Sequence, residues 1–313
     1  MVMQSFSSKL FIGLIKHRHL LKGKLKPEII NERFDVHKFR DDIDKVSDRV
    51  NKVPKDVDVQ NVLAEGMNCE WLTPQGAPQD KVVLYIHGGG FVSGSCRTHR
   101  MHVVKFVREC GLKAFLFDYR LAPEHPFPAA VEDCLSAYGY LLAQGYKPQN
   151  IAVMGESAGG TLTLSTLIAL RDRGIDLPAA AVSISPVTDL TCRAGSFVTN
   201  AKKDVAPMGS WTVWTGYYIA QNDPLHPWLS PLMADLTDLP PVMIHVGTHE
   251  IHYDDATNFA KKAQGNGVDI TLKVWDGMIH AFPLLSPFFP EARNAMHEIG
   301  EFLREHIFSK EQN

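Results

Sequence analysis

Two segments of this chain have the residue types and spacing for acyl chemistry: Leu84-Tyr85-Ile86-His87-Gly88-Gly89-Gly90-Phe91 and Gly155-Glu156-Ser157-Ala158-Gly159-Gly160. A serine hydroxyl is a poor nucleophile until a base takes its proton. A G-x-S-x-G turn between a strand and a helix raises that hydroxyl for attack. A glycine run at a strand end can aim backbone N–H groups at a developing oxyanion. The candidate donors are Gly88, Gly89, Gly90 and Ala158, and losing one such donor removes roughly 2.7–4 kcal/mol of transition-state stabilisation. A lone G-x-S-x-G arises by chance in a chain this long with probability ~0.1, an H-G-G-G run with ~0.002. Their joint presence predicts a serine hydrolase. His87 reads as structural, ending its strand and holding the loop.

The base and the acid must come from farther along. In strand–turn–helix hydrolases of this type the order is Ser, then Asp or Glu, then His. His280, in Trp275-Asp276-Gly277-Met278-Ile279-His280, follows an expected strand over 270–274 and is the candidate base. The bland alternative is a buried histidine satisfied by backbone. The acid should follow the preceding strand, 241–246, in the loop Gly247-Thr248-His249-Glu250-Ile251-His252-Tyr253-Asp254-Asp255. Glu250 is nearest the strand end and is taken as the acid, ahead of Asp254. Asp254 and Asp255 sit where a helix begins and a carboxylate often caps backbone N–H groups. Asp276 reads as solvated or structural.

The same loop spells H-E-I-H, one residue short of the H-E-x-x-H that sets two histidines on one helical face. His99 and His102 are three apart on an expected helix, with no third ligand following. A metal set needs three or four partners, so neither a metal nor another cofactor is expected.

The elements that must position these residues alternate. Antiparallel strands are expected over 57–62 and 67–72, then strand 81–86, helix 98–110, strand 113–118, helix 128–144, strand 151–155, helix 158–173 and strand 180–184. Residues 187–238 break the rhythm and carry Trp211, Trp214, Tyr217, Tyr218 and Trp228. It resumes with strand 241–246, helix 254–265, strand 270–275 and helix 291–307. This predicts an α/β fold, a mostly parallel central sheet flanked by helices on both faces. Residues 1–50 read as N-terminal cap helices, with a boundary at Asn51-Lys52-Val53-Pro54. Residues 51–313 read as the catalytic domain, within which 187–238 contributes a second cap element.

With these residues in place the chain resembles the hormone-sensitive-lipase-like esterases, the bacterial family IV group of α/β-hydrolases. Asp118-Tyr119-Arg120-Leu121-Ala122-Pro123-Glu124, His125-Pro126-Phe127-Pro128-Ala129-Ala130, Asp189 after Ser185-Pro186-Val187-Thr188, Ser230-Pro231-Leu232 and Leu239-Pro240-Pro241 add to the match over roughly residues 55–308. Two positions depart from the family: Glu156 stands where Asp or Thr is usual, and Glu250 where many relatives carry Asp. The resemblance implies hydrolysis of short- to medium-chain acyl esters under a small cap, with residues 4–22 as part of that cap. It also implies a homodimer through the sheet edge.

Composition sets limits. The 313 residues are 45% hydrophobic, enough for one α/β domain with a cap, and a net charge of −3 gives no case for nucleic acid. Five cysteines without metal spacing read as reduced thiols in a cytoplasm. Residues 10–15 are too short an apolar run for an integral membrane span, and no small-residue cleavage site follows them. A membrane-surface anchor is the competing reading of 4–22. The partner is then a small-molecule ester. Two other readings stay open. One is a catalytically silent binding protein on the same fold, as in related plant hormone receptors that lose the histidine. The other is an amidase or peptidase using the same apparatus.

Overall fold

The computed structural model describes residues 4–17 and 29–308. The helices are α1 (Phe6–Lys16), α2 (Val36–Val50), α3 (Cys96–Cys110), α4 (Ala129–Ala143), α5 (Ala158–Asp172), α6 (Ser196–Thr199), α7 (Ser210–Ile219), α8 (Tyr253–Gly265) and α9 (Pro290–Phe308). The strands are β1 (Val57–Ala64), β2 (Met67–Pro74), β3 (Val82–Ile86), β4 (Lys113–Phe117), β5 (Ile151–Glu156), β6 (Ala180–Ile184), β7 (Val242–Gly247) and β8 (Ile270–Trp275). They form one sheet in the order β1-β2-β4-β3-β5-β6-β7-β8. β1 and β2 join antiparallel, and every pairing from β4 to β8 is parallel. The expected α/β-hydrolase architecture is the observed one. Of the expected N-terminal helix over 4–22, residues 18–22 lie outside the described part.

Both faces of the sheet are covered, which is why its central strands are buried at every position rather than at alternate ones. In β3, Val82, Leu84 and Ile86 pack with α4 and α5 on one face, while Val83 and Tyr85 pack with α3 and α9 on the other. Each such side chain, fully buried, contributes about 1.5–3 kcal/mol. Because β3 and β5 are neighbours in register, with Ile86 opposite Gly155, the glycine run leaving β3 and the serine leaving β5 emerge side by side.

Residues 29–50 and residues between β6 and β7 lie over that end of the sheet. Arg40 of α2 donates to the carbonyls of Val92 and Ala122 and pairs with Glu124. Phe34 and Phe39 pack on Trp214 of α7. α1 is held against α9 and the loop after β8: Ser5 and Ser8 hydrogen-bond Glu291 of α9, and Gln4 donates to the Gly277 carbonyl.

Candidate active site

Ser157 stands between β5 and α5 with φ +60° and ψ −126°, a left-handed conformation that an L-residue adopts at a cost of about 1–3 kcal/mol. The turn closes only because small residues flank it. A Cβ at Gly155 would lie 2.5 Å from the carbonyl oxygens of Gly159 and Ile86, and one at Gly159 would overlap the Ile86 carbonyl. The Ser157 N–H donates to the Ile184 carbonyl across to β6 at 2.8 Å. α5 starts at Ala158, whose first-turn N–H groups have no intrahelical acceptor.

His280 Nε2 lies 2.9 Å from Ser157 Oγ, and its Nδ1 lies 3.4 Å from Glu250 Oε2. Glu250 is fully buried, and its other oxygen accepts the Gly247 N–H at 2.6 Å. Burial is the largest influence on Glu250 and holds its pKa above the usual carboxylate value, while the His280 contact pulls the other way. For His280 burial lowers the pKa, but the Glu250 carboxylate, with Asp204 and Glu156 farther off, outweighs it and leaves the imidazole above 6.5. Asp254 does not face His280; its Oδ2 accepts the Ser196 N–H at the start of α6. Asp276 accepts from Thr248 Oγ1 at the surface.

The glycine run is divided by geometry. Gly88 N–H donates to Glu156 Oε1 at 2.7 Å and so is removed from the candidate oxyanion donors. Gly89, Gly90 and Ala158 remain. Gly89 takes φ +121°, and a Cβ at Gly90 would run into the Trp214 ring. His87 is fully buried and holds the loop: its Nδ1 lies 2.8 Å from the Gly88 carbonyl, its ring stacks on Tyr119 at 4.1 Å, and burial takes its pKa to about 4.

Several further side chains hold the site. Glu156 is fully held: Tyr85 OH donates to it at 2.6 Å, Gly88 N–H to its other oxygen, and His99 Nε2 lies 3.1 Å away. Burial opposes ionisation, but these partners outweigh it and keep Glu156 below the usual carboxylate value. Asp204 accepts the N–H of Ile251 at 2.9 Å and of His280 at 3.3 Å, tying the acid loop to the histidine loop. Ser185 Oγ accepts the Ala281 N–H. His252 is fully buried, its ring 4.9 Å from that of His280 and 4.1 Å from Trp211. Burial, then the neighbouring His280, keeps it well below 6.5 and neutral. Glu250, His252 and His280 each bring a ligand-type atom within 4.8 Å of the others, a set that local spacing hid because its third member lies in another loop. The aromatics of 210–219 serve as packing: Trp211 and Trp214 roof the histidines and Gly90, and Tyr218 stacks on Phe91 at 4.1 Å.

A family model described as alpha/beta hydrolase fold matches residues 83–284. An acetyl-hydrolase of Streptomyces hygroscopicus is 40% identical over 238 residues, covering 75% of this chain and 79% of that protein. An esterase of Acinetobacter venetianus is 33% identical over 248 residues, covering 79% and 82%. The crystal structure of an esterase from the bacterial hormone-sensitive lipase family matches with a TM-score of 0.88 at 38% identity, covering 98% of this chain and 100% of that one. This chain therefore belongs to the α/β-hydrolase fold family, among the esterases of the bacterial hormone-sensitive lipase type.

Proposed function

We propose that this chain hydrolyses carboxylic esters of short to medium acyl length through a serine acyl-enzyme, with Ser157 as nucleophile, His280 as base and Glu250 as the acid that orients it. The 2.9 Å approach of His280 Nε2 to a serine on a strained turn is the observation that carries this reading. Ser157 Oγ bonds to the ester carbonyl carbon as its proton passes to His280 Nε2. The carbonyl oxygen, now an anion, takes hydrogen bonds from Ala158 and from Gly89 or Gly90. Collapse breaks the bond to the alcohol, which leaves with the proton from His280; water then attacks the acyl-enzyme by the same route. Glu250 fixes the ring and favours the imidazolium that forms in each half.

The acyl range draws on similar proteins. One is named an acetyl-hydrolase, another an ethyl acetate hydrolase, and a solved relative with a TM-score of 0.90 was soaked with p-nitrophenyl butyrate. Residues 1–50 and the part of 187–238 around α7 act as the cap; Phe34 and Phe39 of the first meet Trp214 of the second over the glycine loop, which supports this. The free cysteines fit a cytoplasmic protein, and β8, an open sheet edge that is half-buried along its length, is where a second copy would join. Light scattering of the purified protein at twice the monomer mass checks the dimer.

The decisive assay offers p-nitrophenyl acetate, butyrate and octanoate and a matched anilide to the protein and to Ser157→Ala. Serine-dependent ester turnover, fastest on the shorter acyl groups and exceeding anilide turnover, is expected. Absence of serine-dependent turnover on every ester would leave a silent binding protein. Faster anilide cleavage would make it an amidase.

A further inference from the structure

We propose that Glu250, His252 and His280 form a binding site for a divalent transition cation of the Zn2+ class, and that occupying it switches the hydrolase off. The inhibitory part rests on the ester-hydrolase reading above; the binding part stands on geometry alone.

His252 is the starting observation. Its side chain is fully buried, and neither ring nitrogen makes a hydrogen bond among the described residues, although the Ser185 backbone lies close enough to favour the protonated ring weakly. A buried imidazole short of hydrogen-bond partners is unfavourable. It stands beside two more polar atoms lacking hydrogen-bond geometry, Glu250 Oε2 and His280 Nδ1. The catalytic reading gives those two atoms each other, at 3.4 Å, and leaves His252 with the Ser185 backbone alone.

The distances suit a cation. Zn2+ bonds to imidazole nitrogen and carboxylate oxygen at about 2.0–2.2 Å, so two ligands of one tetrahedron sit about 3.3–3.6 Å apart. Glu250 Oε2 and His280 Nδ1 already have that separation, and Glu250, His252 and His280 each offer a ligand-type atom within 4.8 Å of the others. Binding requires side-chain rotation to close the remainder. Two histidines and one carboxylate are a ligand set that Zn2+ takes, leaving a fourth position for water. His280 is the partly exposed member and gives the route in.

The consequence for the reaction follows from the tautomer. As a base, His280 carries its proton on Nδ1, toward Glu250, and presents a bare Nε2 to Ser157. Coordination through Nδ1 moves that one proton to Nε2. The nitrogen facing Ser157 Oγ is then a donor and cannot accept the serine proton. The ion sits on the far side of the ring from the serine, so it should lower kcat and leave KM unchanged.

The test begins with metal-stripped Ser157→Ala protein, equilibrium-dialysed against Zn2+, with Co2+ as a spectroscopic probe. One ion per chain with tetrahedral Co2+ bands is expected. That ion is lost in the background of His252→Leu or His252→Asn and kept in His297→Ala, which removes an exposed histidine paired with Glu109 and Glu301. In the protein with its serine, Zn2+ should lower kcat reversibly, EDTA restoring it. The half-inhibiting concentration should rise at least about tenfold with either His252 substitution, since even an outer partner of a metal ligand changes affinity by about 10–100-fold. Absence of a stoichiometric ion on Ser157→Ala overturns the site. So does binding that neither His252 substitution changes. Dialysis needs no turnover, so an ion bound to a protein without esterase activity would refute the inhibitory role and the ester-hydrolase reading while keeping the site.

Discussion

Two fully buried carboxylates flank the proposed nucleophile, and they live in opposite conditions. Glu156, beside Ser157 in sequence, accepts from Tyr85 OH and Gly88 N–H and meets His99. Glu250, on the far side of His280, accepts one backbone N–H, and its second oxygen meets only the 3.4 Å approach of His280 Nδ1. The first is held below the usual carboxylate pKa and the second above it, although burial raises both. Donors decide the difference. A carboxylate held by three donors is a structural post, here for the glycine loop. One left partly unanswered can respond to charge on its neighbour, which is what stabilising a transient imidazolium requires.

The contrast breaks first at Glu250. Glu250→Gln should lower kcat by about 10³–10⁴-fold, because it removes the charge and favours the wrong histidine tautomer. Asp254→Asn, whose wild-type carboxylate holds Ser196, should leave kcat within about threefold. Steady-state kinetics on p-nitrophenyl butyrate compares them, and the reverse ranking would move the acid to Asp254. At Glu156 the expected damage is to the fold. Glu156→Ala strands the buried Tyr85 hydroxyl and Gly88 N–H, each at about 1–3 kcal/mol. Urea unfolding followed by tryptophan fluorescence should show a loss of about 3 kcal/mol. An unchanged midpoint would mean that Glu156 holds nothing.

The smallest effect is on pH. His280 must be neutral to accept the serine proton, and its pKa in the folded protein lies above 6.5. Activity is therefore full at alkaline pH and falls as pH drops through that raised value. The acid limb of kcat/KM should have its midpoint above 6.5 and move down in Glu250→Gln. A midpoint below 6.5 in the unaltered protein would mean that burial wins over the carboxylate.

What could be read from the chain follows how local each feature is. Glycines that admit a strained serine, and apolar runs buried on both sheet faces, impose their requirement on adjacent residues, so the motif shows it. The order of Ser157, Glu250 and His280 follows from parallel strands delivering their C-terminal ends to one edge. Gly88 is different, because its N–H is claimed by a carboxylate from position 156, and no spacing within the glycine run announces that. Asp204 joins Ile251 and His280 across 47 and 76 residues. His252 gains its importance from a loop that arrives from residue 280.

The sequence by itself determined the sheet, its edge and the chemical types gathered there, because secondary structure and close backbone approach are set by near neighbours. Only the tertiary structure decided which glycine N–H is claimed, which carboxylate is rigid and which faces the histidine, and that a second imidazole stands beside them. Hydrogen-bond satisfaction in a buried site depends on which distant chains meet there, and packing chooses that meeting.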